Sequence, residues 1–212
     1  YAMLRNSEML IIGVIYLRIE QNVMLLPGQS MHGIKEVQSH PMAILQCHDF
    51  FEKYPQIKLI ESEDTAASAK NISEKKIMNT AAIASELAAE MYGLEIIARS
   101  IETNKKNFTR FLVLTHKNNI NNSGIADKAS ICFNVTHEKG ALARVLNVLA
   151  DFGINMSKIQ SLPLIGKEWE YFIHIDFEFD NLSVYKEAIQ TIIPLTNDFK
   201  ILGEYKKGEK NL

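Results

Sequence analysis

The strongest constraint in this sequence is a hydrophobic period that switches from two to between three and four and back again within its last 85 or so residues. Ala129, Ile131, Phe133 and Val135 alternate with polar or small residues, as a half-buried strand requires. After Gly140, the residues Leu142, Val145, Leu146, Leu149 and Phe152 fall at spacings of three and four, which makes an amphipathic helix. Gly153 follows where a left-handed residue is wanted. Ile154 to Leu162 reads as a strand and Ile165-Gly166-Lys167 as a turn; Trp169, Tyr171, Ile173, Ile175, Phe177 and Phe179 then alternate on one face. Leu182 to Ile193 is a helix ended by Pro194, and Phe199 to Tyr205 is a last strand. The order βαββαβ predicts a ferredoxin-like α+β sandwich over 128–205, followed by a charged tail, 206–212, expected to fray.

An Asn-rich stretch, KNNINNSGIAD over 117–127, has no apolar period and reads as a linker. The segment before it, 1–116, alternates strands and helices and is expected to be α/β with some parallel pairing. Leu10 to Ile19 and Ile57 to Ile60 read as strands, and Pro27-Gly28 as a turn. Pro41 suits the first turn of a helix running to about Tyr54, and Asp64 can cap a short helix to about Asn71. Asn79 or Thr80 opens an Ala-rich helix through Met91, stopped by Gly93. Ile96-Ile97 and Arg110 to Thr115 complete the strands.

Composition excludes several classes of function. The 212 residues carry 23 Lys and Arg against 25 Asp and Glu, so no basic field is available for nucleic acid. No apolar run approaches the ~18 residues of a membrane span. Two cysteines, Cys47 and Cys132, make no disulfide framework, and the start lacks the features of an export signal, so a cytoplasmic chain is expected. No two of the six histidines stand at i, i+4, and neither cysteine lies in a C-x-x-C, so no metal centre is expected. No phosphate-binding glycine loop is present, and no cofactor is expected.

Four patterns can carry chemistry. Ser39 and Gln46 are seven apart, about 20° from two full helical turns, which would set both on one edge of a helix near its N-terminus. Ser39 reads equally as a simple cap, and Gln46 as a surface residue. Asn107-Phe108-Thr109-Arg110-Phe111 stands at a loop-to-strand junction, with a hydroxyl able to donate a proton and a guanidinium matched to carboxylate; it reads equally as an ordinary strand start. Asp64-Thr65-Ala66-Ala67 reads as a capped helix start, and Ala81 to Ser85 as a close helix contact. His137 to Leu142, HEKGAL, joins strand to helix, where N–H groups could grip an amino-acid carboxylate or simply make a tight turn.

Taken in order, Ser-His-Pro with Gln-Cys (39–47), Ala-Ala-Ile-Ala-Ser (81–85), Tyr92-Gly93-Leu94, Ile101-Glu102 and Asn107-x-Thr109-Arg110-Phe111 resemble the prephenate dehydratase family, whose best-known signature is the Thr-Arg-Phe triplet. Gly140-Ala141-Leu142 and Gly153-Ile154-Asn155 resemble the ACT regulatory domain that follows in that family. The resemblance implies part of a two-lobed catalytic domain similar to type II periplasmic binding proteins, then the ACT domain. It implies decarboxylative dehydration of prephenate to phenylpyruvate without a cofactor, on the path to phenylalanine. By position it implies Thr109 as the acid, with Ser39, Gln46, Phe111 and Thr65 at the substrate, and Arg110 holding either the junction or a substrate carboxylate. It further implies an aromatic effector, most simply L-phenylalanine, near Gly140, Ala141, Leu142, Asn155 and Gln160-Ser161-Leu162-Pro163. A homodimer or homotetramer through the ACT domain is implied as well. An amino-acid sensor without catalysis is the competing expectation.

The sequence departs from the family pattern in two places. Gln160-Ser161-Leu162-Pro163 stands where relatives carry Glu-Ser-Arg-Pro, so a Glu and an Arg are exchanged for an amide and an aliphatic. At the front, the family's Gly-rich start and Pro-x-Glu-Asn-Ser stretch are not found, and Val14 follows Gly13 where relatives usually have Glu. The expectation is a catalytic domain without its N-terminal lobe, with little or no activity on its own.

Overall fold

Mostly short strands joined by capped helices build the first half of the chain, and longer strands build the second. The computed structural model describes residues 2–119, 126–164, 166 and 170–209. In chain order the first half holds α1 (Ala2–Arg5), β1 (Met9–Arg18), β2 (Asn22–Leu25), β3 (Glu36–Ser39), α2 (Pro41–Gln46), α3 (His48–Phe51), β4 (Lys58–Glu61), α4 (Thr65–Lys75), β5 (Thr80–Ala84), α5 (Glu86–Tyr92) and β6 (Glu95–Ala98). Then come β7 (Phe108–His116), β8 (Lys128–Asn134), α6 (Ala141–Asp151), β9 (Asn155–Pro163), β10 (Tyr171–Glu178), α7 (Leu182–Ile192) and β11 (Asn197–Tyr205). The chain divides into two compact units, one of Leu17–Thr109 and the other of Tyr1–Tyr16 with Arg110–Glu209. Among the described residues no helix is long and apolar enough to cross a membrane.

The unit of Leu17–Thr109 is an α/β layer structure on a five-stranded sheet, ordered β4-β3-β5-β2-β6. β3 runs parallel to β4 and β5, and β2 runs antiparallel to β5 and β6. Alternation along the central strand sorts two cores. Ala81 and Ile83 pack with Val37, Ala43, Cys47 and Phe51 on one side. Ala82 and Ala84 pack with Ala69, Ile72, Ala88 and Ala89 of α4 and α5 on the other.

Two expectations need correction here. The Ala-rich run is not a helix: Thr80 to Ala84 is β5, buried at every position, and the helix begins only at Glu86, capped by the Ser85 hydroxyl. Alanine favours a helix when nothing else decides, but small side chains also let helices pack closely on both faces of a sheet, and that burial decides here. The helix from Pro41 is interrupted at Cys47, whose backbone leaves helical geometry (φ −108°, ψ 10°), so α2 and α3 are separate short helices. Asp64 caps α4 as expected, accepting from the Ala67 N–H at 2.8 Å.

The other unit contains the expected βαββαβ order, with a four-stranded antiparallel sheet ordered β11-β8-β10-β9. Ile131, Phe133, Ile173, Ile175 and Phe177 face α6 and α7, meeting Val145, Leu149, Tyr185 and Ile189. Leu4, Ile11, Val14, Cys132, Phe172, Leu202 and Tyr205 form a second apolar cluster, to which Leu112 of β7 adds. β1 and β7 form a two-stranded ribbon. A side-chain carbon at Gly203 would run into the Ile11 carbonyl, so glycine is what permits β1 to lie this close to β11.

The start of the tail expected to fray is tied down as far as Lys207. The Asp127 carboxylate accepts from the Lys207 N–H at 2.5 Å, and Lys207 reaches Glu178 at 3.7 Å. Most of the expected linker (120–125), Ile165 and Lys167 of the expected turn, Trp169 and the last three residues lie outside the described residues.

Candidate functional site

The strand directions bring one set of ends together. Ser39 of β3 pairs with Glu61 of β4, Asn22 of β2 with Ala84 of β5, and Val23 with Ala98 of β6. The carboxyl ends of β3, β4, β5 and β6 therefore open on one edge of the sheet, where α/β sheets usually bind ligands. Loops leaving this edge carry His40, Asp64 and Ser85, the N-caps of α2, α4 and α5. The longest runs from Arg99 to Asn107 and feeds β7, and it is held by side chains from three directions.

Gln46, the last residue of α2, is its hub. Its Oε1 accepts from Asn107 Nδ2 at 3.0 Å and from Gln21 Nε2 at 3.5 Å, and its backbone carbonyl accepts from the Thr103 N–H at 2.9 Å. Asn22 Oδ1 accepts from the Ser100 N–H at 3.0 Å, and Asn22 Nδ2 donates to the Ala84 carbonyl at 3.3 Å. Glu102 is buried beneath: it accepts from the Gln21 N–H at 2.9 Å and the Ser100 hydroxyl at 2.8 Å, and pairs with Lys105 at 3.7 Å. Burial pushes its pKa up, but the N–H groups of Gln21 and Glu102, the Ser100 hydroxyl and Lys105 outweigh that and hold the carboxyl below its ordinary range.

Thr109 is exposed on β7, two residues beyond Asn107, which stands just ahead of the strand. Phe111 shares the face of Thr109 and is also exposed. Thr65 is half-buried at the first position of α4. Ser39 departs from expectation. It ends a strand rather than lying on a helix edge, is wholly buried, and donates to the Ile83 carbonyl at 2.7 Å. His40 caps α2 instead, its Nδ1 accepting from the Met42 N–H. The cause is β3 itself, four residues too short to show a period.

Arg110 is engaged within the fold. Its Nη1 donates to Asp176 Oδ2 at 2.5 Å rather than standing ready for a ligand carboxylate. Alternation turns Arg110 to the face opposite Thr109. Gln21, Asn22 and Asp176 carried no local signal in the sequence, because their partners lie 46 to 81 residues away, or 25 for Gln21 with Gln46.

Cys47 is buried beside this network; burial, then the Glu102 charge, push its thiol up to about 12 against an opposing Lys105, so it is no nucleophile. Among the described residues no three His, Cys, Asp or Glu side chains group as metal ligands. The edge thus offers neutral amides, hydroxyls and helix starts, suited to orienting an anionic, polar substrate.

A second concave site lies in the ferredoxin-like segment. A cavity of about 410 Å³ is lined by Val135, Thr136, Gly140, Ala141, Leu142 and Tyr171, among others. Gly140 caps α6 with φ +78°, which favours glycine. Pro163 pairs with Tyr171 and Ser161 with Ile173, so the end of β9 runs beside this cavity, whereas Asn155 pairs with Glu178 at the far end of β10. One chain therefore groups Gly140, Ala141 and Leu142, with the Gln160 to Pro163 run on the edge strand and Asn155 remote.

A family model for prephenate dehydratase matches residues 1–119. Among curated proteins, the bifunctional chorismate mutase/prephenate dehydratase of Aquifex aeolicus is 37% identical over 208 residues, covering 97% of this chain and 56% of its own. The protein of the same name from Buchnera aphidicola of Schizaphis graminum is 33% identical over 206 residues, covering 97% and 54%. The chain thus spans about half the length of the curated relatives it matches. Among solved structures, the prephenate dehydratase of Arthrobacter aurescens in complex with L-Phe superposes with a TM-score of 0.84 at 27% identity, over 96% of this chain and 68% of that one. The Staphylococcus aureus prephenate dehydratase gives 0.80 at 27%, over 96% and 75%. A protein described as a quorum quenching acylase, GqqA, gives 0.84 at 26%, over 96% and 74%.

Proposed function

The chain belongs to the prephenate dehydratase family, and from that premise we propose that it works in the conversion of prephenate to phenylpyruvate, with control by an aromatic amino acid. In this reaction the ring carboxylate leaves as CO2, its electron pair moves into the ring, and the ring hydroxyl departs as water once protonated. Aromatisation drives it, so the protein's task is orientation and one proton.

The observation that carries the proposal is the bond from Asn107 to Gln46, which ties the start of β7 to the edge where Gln46 and the first turn of α4 face outward. Thr109, two residues on, is exposed and is assigned the proton. Gln46, with Thr65 at the start of α4, is assigned the substrate's polar groups, and Phe111 the ring. Ser39 is assigned the task of joining β3 to β5, through its bond to Ile83.

The segment 128–205 is proposed as the regulatory ACT domain, with the cavity beside Gly140 as the effector site; the Arthrobacter relative solved with L-Phe supports that ligand. β9 is the edge strand of its sheet, with Ile159 and Met156 exposed, which supports side-by-side pairing of two copies into a homodimer or homotetramer. Light scattering is expected to give at least a dimer.

The likeness to the acylase supplies a competing chemistry, amide hydrolysis. The test is to supply prephenate and an N-acyl amide separately and follow phenylpyruvate absorbance and amine release. Phenylpyruvate formation supports the proposal. Amine release without phenylpyruvate contradicts it. Calorimetric binding of L-phenylalanine is expected, and no heat at millimolar ligand removes the effector assignment.

A further inference from the structure

We infer that Asp176, a residue of the ferredoxin-like sheet, is a positioning residue for Thr109 and acts on it through Arg110. The inference rests on the reading of Thr109 as the proton donor.

Among the described residues β7 is hydrogen-bonded as a strand to β1 alone, and a two-stranded ribbon depends on what packs against it. The ribbon is antiparallel, since the Ile19 N–H donates to Asn107 O at one end and the Lys117 N–H to Glu8 O at the other. Side chains alternate along it: Thr109 and Phe111 are exposed, while Arg110 and Leu112 turn the other way, Leu112 into the apolar cluster with Val14 and Leu202. A slip of one residue would turn Thr109 into that cluster. Hydrophobic contact alone guards weakly against such a slip, because the outward residues Ile15, Phe111 and Leu114 are themselves apolar.

The charge pair guards against it strongly. Asp176 lies mid-strand in β10, only 1% exposed, between Ser130 of β8 and Lys158 of β9. Its two oxygens have separate donors: Arg110 Nη1 at 2.5 Å on Oδ2, and the Ser130 hydroxyl at 2.5 Å on Oδ1. Ser130 is held in turn by the Tyr205 hydroxyl at 2.7 Å. The carboxylate is therefore fixed in direction, and it fixes the guanidinium that meets it. Withdrawing Arg110 would take a short charge-assisted hydrogen bond from a buried carboxylate, so a register that does so is disfavoured. Arg110 is joined by one peptide bond to Thr109, so the same pair sets which face Thr109 presents.

The same two strands reach the cavity. β8 leads on from Ser130 to Val135, and β10 contains both Asp176 and Tyr171, so a ligand that moves these strands would move the carboxylate holding Arg110.

The test is hydrogen exchange of amides 108–112 in the full chain, with Thr80–Ala84 as an internal reference, for wild type, Asp176→Asn, Asp176→Glu and Ser130→Ala. Asp176→Asn is expected to speed exchange at 108–112 by about tenfold or more and leave the reference unchanged. Ser130→Ala should act in the same direction more weakly, and Asp176→Glu should recover part of the protection. With prephenate, Asp176→Asn is expected to lower kcat by about tenfold with KM within about twofold. Wild-type exchange at 108–112 in both Asp176→Asn and Ser130→Ala would overturn the inference; so would a raised KM with unchanged kcat, which would make Arg110 a substrate ligand. If Asp176→Asn does not fold, Ser130→Ala decides. The exchange measurement decides whether the strand is clamped even where the chain by itself forms no phenylpyruvate, so the clamp and the acid role of Thr109 fail separately.

Discussion

Glu102 and Asp176 are both buried carboxylates, and the molecule accommodates them in opposite ways. Glu102 is bound mainly by neutral donors: the Gln21 N–H 81 residues away and a hydroxyl two residues away, with a mostly exposed lysine three residues on. Asp176 is bound across the fold, by a guanidinium 66 residues distant and a hydroxyl 46 residues distant. The first arrangement ties a loop to the start of β2. The second joins a strand to a sheet. Satisfaction by neutral donors tolerates loss of charge, because an amide can still accept the same N–H bond. Pairing with a guanidinium tolerates it less, because removing the acid takes a charge-assisted bond from a partly buried Arg110.

That contrast gives an order of effects. Asp176→Leu is expected to be the most damaging of the substitutions, at about 3 kcal/mol in urea unfolding, since it removes a buried carboxylate that Arg110 and Ser130 both bond. Pairing it with Arg110→Met should recover much of that loss, a double-mutant coupling that sharpens the comparison. Glu102→Gln is expected to cost about 1–2 kcal/mol near neutral pH. Its cost should also depend on acidity. The folded pKa of Glu102 is depressed, so its contribution is present above the unfolded carboxylate pKa and is lost as pH falls through the folded value. Wild type and Glu102→Gln should therefore converge in stability in acid; a constant gap down to pH ~3 would contradict the assignment.

His174, on the same strand as Asp176, gives a smaller, separable effect. Burial first, with nearby positive charge including Arg5, pushes its pKa down to about 4, with Asp176 opposing. The folded state thus resists protonation that the unfolded state accepts, so stability is full above pH ~6.5 and declines toward pH ~4. His174→Gln should flatten that slope, as read by thermal midpoints across the range. Smallest of all, Cys47 should leave folded activity untouched by thiol reagents at pH ~8, since burial holds its thiol protonated. Prompt labelling of Cys47 in the native state would contradict its buried position.

The two halves of the chain were unequally legible. β8 and β10 announce themselves by long alternation and α6 by its spacing, and Gly140 and Gly153 mark the turns between them, so the βαββαβ order could be read directly. β2 and β3, four residues each, are too short to carry a period, and β5 is written in alanine, whose intrinsic preference points to the wrong structure. Ser39 was misread for that reason: without β3, its distance from Gln46 looks helical. The carboxyl-edge site was legible as residue types in order, but the partners that fix it were not. Gln21, Asn22 and Asp176 acquire meaning only when the sheets bring remote segments together, as Asn22 does with Ser100.

The most direct measurement of the central claim is steady-state formation of phenylpyruvate from prephenate by wild type, Thr109→Ser and Thr109→Ala. The account predicts that Thr109→Ala lowers kcat by about 100-fold or more with KM within about threefold, while Thr109→Ser, which keeps the hydroxyl, retains most of the rate. An unchanged kcat in Thr109→Ala would contradict it.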